Sequence, residues 1–223
     1  MSKENFVKFL EEFIGTFFLV SMVGITLTME PPIGQLAVAG LLTGMIYMGK
    51  EISGAHFNPA ILFSLYLRGC DFKVINMMSL WLAEILGAVA ACFAVYYIKG
   101  DFFALEPGPA IDLTKALVCE IFFTFILASV DLNVTTTKKG SEKSYYGIAI
   151  GLTILAGSLA LGKISGAAFN PAVGSVPVTI KYIFRGGNVL NSFIYLIRPF
   201  VGASLAGLTF KFVNPGKKRI EDA

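Results

Sequence analysis

Six long stretches of apolar residues alternate with short polar segments along the chain. A helix needs about 20 mainly apolar residues to cross the hydrocarbon core of a bilayer. Each stretch is long enough for one span, although the second and the fifth are at the short end of the range. The pattern therefore predicts six membrane-spanning helices, at about 9–29, 33–50, 74–98, 111–132, 145–162 and 189–213.

Two further apolar segments, at about 57–67 and 169–180, are too short to cross a membrane. Each follows an Asn-Pro pair, and proline fits the first turn of a helix because its missing N–H would have no partner there. These segments are therefore predicted to be half-helices that begin at Asn58 and Asn170. Irregular backbone at membrane depth is tolerated only where it packs inside protein or lines a water-filled cavity, so the half-helices indicate a pore.

The segment at 52–60 is repeated at 164–172, and the two copies differ only where His56 stands against Ala168. Each half of the chain holds three predicted spans, and because three is odd, the second half must enter the membrane upside down. The sequence therefore predicts an all-α integral membrane protein, in which residues 1–223 form one channel domain of inverted repeats at about 1–105 and 106–223. In such folds the substrate site lies near the midplane, between the repeats.

The predicted half-helices meet end to end at the pore centre. Each N-terminus carries about half a positive charge from the helix dipole, so two facing ends repel cations. The amides of Asn58 and Asn170 offer N–H donors there, which would orient a water molecule and interrupt a chain of proton transfer. The predicted centre consists of Asn58, Pro59, Ala60, Asn170, Pro171 and Ala172.

The loops before the half-helices are predicted to line the pore with backbone carbonyl groups. Glycine at positions 54 and 166 permits a non-helical path close to the pore axis. The predicted carbonyl ladder is formed by Gly54, Ala55, His56, Gly166, Ala167 and Ala168.

Two carboxylates, Glu12 and Glu120, occupy equivalent positions in the first and fourth spans. An acid inside a membrane is costly and usually marks a function, so a role in proton relay is one interpretation. We favour a structural role, in which each acid accepts N–H groups from the loop before a half-helix.

Composition agrees with a membrane protein and narrows the function. Hydrophobic residues make up 55% of the chain and charged residues 15%, with a mean hydropathy of +0.72; soluble domains carry about 25% charged residues. A net charge of +3 does not suggest nucleic acid, and a single histidine without a Cys-x-x-Cys pair argues against a metal site. The sequence shows no nucleophile with its base and no phosphate-binding loop. We therefore do not expect an enzyme, and we expect neither catalytic residues nor a cofactor.

The positive residues set the expected orientation. With six spans both termini face the same side, and that side carries the larger share of lysine and arginine, so the N- and C-termini are predicted to be cytoplasmic. The residues on that side are Lys3, Lys8, Arg68, Lys73, Lys138, Lys139, Lys143, Lys217, Lys218 and Arg219.

These motifs resemble those of the aquaporins, the major intrinsic proteins, over nearly the whole chain. The carriers of the resemblance are residues 12–16, residues 53–60, Glu120 with Asp131 at the end of the fourth span, and residues 165–172. The resemblance implies a homotetramer in a lipid bilayer with one pore per subunit, which conducts water and sometimes small neutral solutes.

The chain departs from this family at the narrow outer filter. Val173 stands where the family usually has arginine, and the family's spacing assigns the other filter positions to Val38, Ser158 and Ala167. A filter without an aromatic residue, a histidine or a charge is expected to be wide enough for glycerol, urea, ammonia or hydrogen peroxide. Gly174 replaces an aspartate that glycerol-conducting relatives often have, so glycerol specificity is not indicated.

Three questions stay open at the level of sequence. Arg198, in the sixth apolar stretch, is either an anchor at the outer interface or a vestibule residue that partly replaces the missing filter arginine. Glu84 stands where relatives often have glutamine and is assigned no transport role. Loss of the filter arginine also leaves open a channel for ions or protons, and a third alternative is a junction protein with a closed pore.

Overall fold

The computed structural model describes residues 2–29, 32–70, 73–137 and 144–215. Within these ranges the regular structure is entirely helical, as predicted. Its eight helices are α1 (Lys3–Thr26), α2 (Ile33–Gly49), α3 (Pro59–Arg68), α4 (Val74–Lys99), α5 (Leu113–Thr136), α6 (Tyr146–Ser165), α7 (Pro171–Arg185) and α8 (Leu190–Val213). Of the residues that set the orientation, Lys138, Lys139, Lys143, Lys217, Lys218 and Arg219 lie outside the described residues.

The helices confirm the predicted arrangement of spans and half-helices. Five are long and apolar enough to cross a membrane, namely α1, α4, α5, α6 and α8. Helix α2 has 17 residues, the lower limit for a span. The short helices α3 and α7 begin at the two Asn-Pro pairs. Each half of the chain therefore runs through two long helices, one half-helix and a last long helix.

Helix α5 extends further than the apolar pattern indicated. The fourth apolar stretch ends near position 132, whereas α5 continues to Thr136, so Asp131 lies inside the helix rather than at its end. Hydropathy falls here because of polar side chains, but those side chains bond back to the helix: Oγ1 of Thr135 donates to the carbonyl of Asp131 at 2.7 Å. The polar end of the stretch is therefore helical, and the helix continues past Asp131.

The packing repeats between the two halves. Helix α1 lies along α4, and α5 lies along α8 in the same way, while α2 packs against α6 across the halves. Each half-helix also contacts the last long helix of the opposite half, α3 against α8 and α7 against α4. These contacts interlock the halves around the two half-helices.

Glycines at equivalent positions allow the long helices to approach each other closely. A Cβ atom at Gly87 in α4 would lie 2.5 Å from the carbonyl oxygen of Phe13 in α1. In the second half, a Cβ atom at Gly202 in α8 would overlap the carbonyl oxygen of Ile121 in α5. Because the obstacle is backbone in both places, the glycines set the helix spacing.

We predict that Gly87→Ala lowers the thermal stability of the protein in detergent, because the added methyl group forces α1 and α4 apart at a cost of about 1–3 kcal/mol. Gly44→Ala is the matched control, since a Cβ atom there meets nothing within 4 Å. Thermal unfolding of both variants measures the difference, and equal melting temperatures would contradict the packing role.

Candidate functional site

The two half-helices begin in the same way. Asn58 and Asn170 have extended backbones, with φ of −155° and −153°, and act as N-caps. Oδ1 of Asn58 accepts the N–H of Ala60 at 3.0 Å, and Oδ1 of Asn170 accepts that of Ala172 at 2.9 Å. A proline follows each asparagine at a position that needs no N–H partner. Each half-helix therefore starts at a fixed residue.

The amide nitrogens of the two asparagines hold the halves together. Nδ2 of Asn58 donates to the carbonyl of Phe169 at 3.0 Å, and Nδ2 of Asn170 donates to the carbonyl of Phe57 at 2.8 Å. These reciprocal bonds bring the N-termini of α3 and α7 together inside the protein. An amide group has two N–H donors, so each asparagine keeps one donor beyond this bond.

The loops before the half-helices have an unusual backbone. Gly54 and Gly166 have φ of +98° and +87°, values that glycine adopts without penalty. Four residues with side chains also have positive φ, near +50°, and such conformations cost about 1–3 kcal/mol each unless the surroundings stabilise them. These residues are Ala55, Phe57, Ala167 and Phe169.

Glu12 stabilises the first loop. Its Oε1 accepts the hydroxyl of Ser53 at 2.7 Å and the backbone N–H of His56 at 2.9 Å, and its Oε2 accepts the N–H of Phe57 at 2.7 Å. Nδ1 of His56 lies 3.0 Å from the same Oε1. The carboxylate is fully buried. It therefore supplies buried acceptors to the N–H and O–H donors of the loop.

Glu120 makes the same contacts in the second loop. Its Oε1 accepts the hydroxyl of Ser165 at 2.8 Å and the N–H of Ala168 at 3.1 Å, while Oε2 accepts the N–H of Phe169 at 2.8 Å. Glu120 is also fully buried. Each acid thus bonds the loop before its own half-helix, which is the geometry that a structural role requires.

Glu84 breaks the symmetry of the two halves. Its Oε1 accepts the N–H of Asn58 at 2.8 Å, whereas its Oε2 is buried without a hydrogen-bond donor among the described residues. The equivalent position in α8 is Pro199, whose side chain has no acceptor. Sequence analysis missed this contact, although an acid inside a span is itself a signal of a polar partner. Glu84 therefore holds the backbone of Asn58 at the start of α3.

A cavity of about 320 Å³ runs past the two asparagines. Its wall comes from α1 and the residues that follow it, from α2, α5 and α6, from the segment between α4 and α5, and from the two loops with the first turns of α3 and α7. Val38, Ser158, Ala167 and Val173, the four residues assigned to the filter, all lie on this wall. Among them only Ser158 carries a polar side chain, so this part of the wall is uncharged.

The structure brings most of the other predicted pore residues to the same cavity. Ala55, His56, Gly166 and Ala168 line it, as do both asparagines. Gly54 does not line it, and the His56 ring packs against this glycine: a Cβ atom at Gly54 would be 2.5 Å from Cε1 of His56. The remaining residues of the predicted centre are buried in the first turns of the half-helices, behind the asparagines, namely Pro59, Ala60, Pro171 and Ala172.

Arg198 does not lie on the cavity wall, so the vestibule hypothesis is not supported by its position. It belongs to α8, and no residue of this helix lines the cavity. Helix α8 packs against α3, α5 and α7 through a buried face that includes Tyr195 and Pro199, and these helices stand between it and the cavity. Arg198 is partly exposed on this outer helix.

Asp131 lies on the cavity wall although the sequence did not predict a pore position for it. Apolar blocks locate a helix in the membrane but do not fix which of its faces turns inward. The only signal in the sequence was a carboxylate near the end of an apolar stretch.

We predict that Glu120→Leu destabilises the protein strongly, because the N–H groups of Ala168 and Phe169 would lose their acceptors, at about 1–3 kcal/mol for each buried donor. Glu120→Gln is the graded control, since it retains one carbonyl oxygen. In detergent, the melting temperature should be highest for wild type, lower for the glutamine variant and lowest for the leucine variant. A leucine variant as stable as wild type would refute the structural role.

Comparison with known proteins agrees with this architecture. The sequence model of the family "Major intrinsic protein" matches residues 1–210. The chain is 35% identical to Aquaporin TIP2-1 of Arabidopsis thaliana over 174 residues, which cover 77% of this chain and 67% of that protein. It is 32% identical to Aquaporin AqpM of Methanothermobacter thermautotrophicus over 236 residues, with 91% of this chain and 95% of the relative covered.

The fold is also similar to a solved structure. It matches the X-ray structure of the aquaglyceroporin from Plasmodium falciparum with a TM-score of 0.79 and 23% identity, over 94% of this chain and 95% of that one. The family match extends from α1 into α8 and includes both Asn-Pro-Ala motifs. Proteins of this family are integral membrane channels rather than enzymes. The chain belongs to the major intrinsic protein family, that of the aquaporins.

Proposed function

We propose that this channel conducts water and small uncharged solutes, of the size of glycerol, urea, ammonia or hydrogen peroxide. The observation that carries the proposal is the apolar, uncharged wall at Val38, Ala167 and Val173. A filter selective for water is narrow and rich in donors, because it must replace the hydrogen bonds that water loses on leaving bulk solvent. At the four filter positions, the single hydroxyl of Ser158 replaces few of these bonds, which favours solutes with some apolar surface.

The pore centre supports exclusion of ions. The N-termini of α3 and α7 bring two partial positive charges to one place, which opposes the passage of a cation. The remaining donor of Asn58 and of Asn170 binds the oxygen of a passing molecule, so a water there turns its protons away from the centre. Selectivity against protons and cations then depends on the half-helices rather than on a filter arginine.

Orientation and assembly belong to the same proposal. We propose cytoplasmic N- and C-termini, supported by Lys3, Lys8 and Lys73 on the side of the termini. We also propose a homotetramer with one pore per subunit, which the family resemblance implies. Large apolar side chains exposed on the outside of the bundle, such as Phe122, Ile148 and Leu152, fit contact with lipid or with a second subunit.

Stopped-flow light scattering of proteoliposomes tests the proposed function. In a gradient of an impermeant osmolyte, we expect vesicles with the protein to shrink faster than protein-free vesicles. In gradients of glycerol or urea, we expect the shrinkage to be followed by rapid swelling as the solute enters. Shrinkage without swelling would mean a water channel that is selective by other means, and no acceleration at all would contradict an open channel.

We predict that Val173→Arg reduces glycerol and urea permeation more than water permeation. An arginine at this position narrows the pore, so bulkier solutes cannot pass. Its charged donors bind water, which is small enough to pass. Val173→Met is the matched control, because it adds length without charge. The fluxes come from the same stopped-flow assay, and an equal loss of water and solute flux in the arginine variant would argue against the filter assignment.

A further inference from the structure

Glu84 is an acid of α4 that lies behind the pore centre rather than on the cavity wall. The residue is fully buried. Its Oε1 accepts the N–H of Asn58 at 2.8 Å, while its Oε2 has no hydrogen-bond donor among the described residues. A charged carboxylate is costly in a dry interior unless donors or a cation compensate it. One donor for two oxygens makes an ionised Glu84 unfavourable.

A second acid, Glu12 of α1, lies beside Glu84. Oε2 of Glu12 accepts the N–H of Phe57 at 2.7 Å, and Glu84 accepts the next N–H along the chain, that of Asn58. The two side chains also lie within hydrogen-bonding range of each other. Two carboxyl groups that share a buried site do not both ionise, because their charges repel. The pair therefore retains one proton.

No lysine or arginine compensates Glu84 within the described part of the chain. Helices α1, α3 and α7 pack against α4, and the loop before α3 bonds Glu84. The basic residues of these elements are Lys3, Lys8, His56, Arg68, Lys181 and Arg185. The lysines and arginines form no ion pair with Glu84, and Nδ1 of His56 lies 3.0 Å from Glu12. The other acid of this part of α1, Glu11, lies against Gly49 of α2. The charge that acts on Glu84 is therefore that of Glu12.

The number of donors decides which acid holds the proton. Glu12 accepts the hydroxyl of Ser53 and the N–H groups of His56 and Phe57, whereas Glu84 accepts one N–H. Hydrogen bonds donated to a carboxylate favour its ionised form. We propose that Glu84 is the protonated member of the pair, a positioning residue whose O–H donates to Glu12 while its other oxygen holds the backbone of Asn58.

The proton on Glu84 affects the electrostatics of the pore centre. With Glu84 neutral, the pair places one negative charge beside the N-terminus of α3. An ionised Glu84 would add a second charge and offset the positive end of this half-helix. In the second half of the chain Pro199 stands at the equivalent position, so Glu120 has no such acid beside it from α8. The inference does not depend on which solutes pass the channel.

Infrared spectroscopy of the reconstituted protein at neutral pH tests the protonation state. Glu84→Gln replaces the acid by a neutral side chain of similar size. We expect the spectrum of wild type minus variant to show the C=O stretching band of one protonated carboxylic acid and no loss of carboxylate bands. Glu51→Gln is the matched control at an exposed acid, and it should lose carboxylate bands instead. Loss of carboxylate bands in Glu84→Gln would overturn the inference.

Glutamine at each of the two positions shows which acid holds the proton. At position 84, glutamine keeps a carbonyl acceptor for Asn58 and an N–H donor for Glu12, as a protonated acid does. At position 12, its amide donors would face the donors of the loop. We expect Glu84→Gln to melt near wild type in detergent, and Glu84→Leu and Glu12→Gln to melt lower. The reverse order of the two glutamine variants would place the proton on Glu12, and an equal loss in both would also refute the assignment.

The pH dependence of stability separates a stored proton from a merely structural contact. Water reaches Glu84 in the unfolded chain, where a glutamate is ionised at neutral pH. The folded wild type therefore binds one proton more than the unfolded chain, and its stability falls as pH rises. Relative to Glu84→Gln, we expect its folding equilibrium constant to drop about tenfold per pH unit around neutrality. Reversible unfolding in mixed detergent measures both proteins, and parallel pH profiles would contradict the inference.

Discussion

The fold depends on a constraint that the bilayer imposes: a backbone that leaves helical geometry at membrane depth must find its hydrogen-bond partners inside the protein. The two loops before the half-helices satisfy this constraint with one buried acid each. Glu12 bonds the N–H groups of His56 and Phe57, and Glu120 bonds the equivalent residues of the second loop. These bonds hold the positive-φ conformations in place, and the loops in turn direct each half-helix toward the centre.

Two barriers of different chemistry follow from this arrangement. In the proposed channel, the centre combines facing helix N-termini with the asparagine amides, and it acts on charge. The proposed filter at Val38, Ala167 and Val173 is apolar, and it acts on size and polarity. In the proposed channel, exclusion of cations therefore does not require an arginine at the filter.

Much of this architecture could be predicted from sequence, because hydropathy locates helices and the repeat identifies the half-helices. The pairing of Glu12 and Glu120 with the loops could also be predicted, since an acid inside a span needs donors and the loops supply them. What hydropathy does not give is the rotation of a helix about its axis. That rotation decides that Asp131 faces the cavity, and the packing of α8 behind the wall keeps Arg198 away from it. The contact of the His56 ring with Gly54 likewise depends on a side-chain conformation that no periodicity encodes.

The central claim is that the paired half-helices exclude charge in a pore whose filter carries none. The most direct measurement is proton flux in water-permeable proteoliposomes, with a potassium diffusion potential set by valinomycin and an internal pH dye. We predict accelerated water flow together with a proton flux no greater than that of protein-free vesicles. A proton flux that rises in proportion to the amount of reconstituted protein would contradict the claim, because the centre would then fail to interrupt the chain of water.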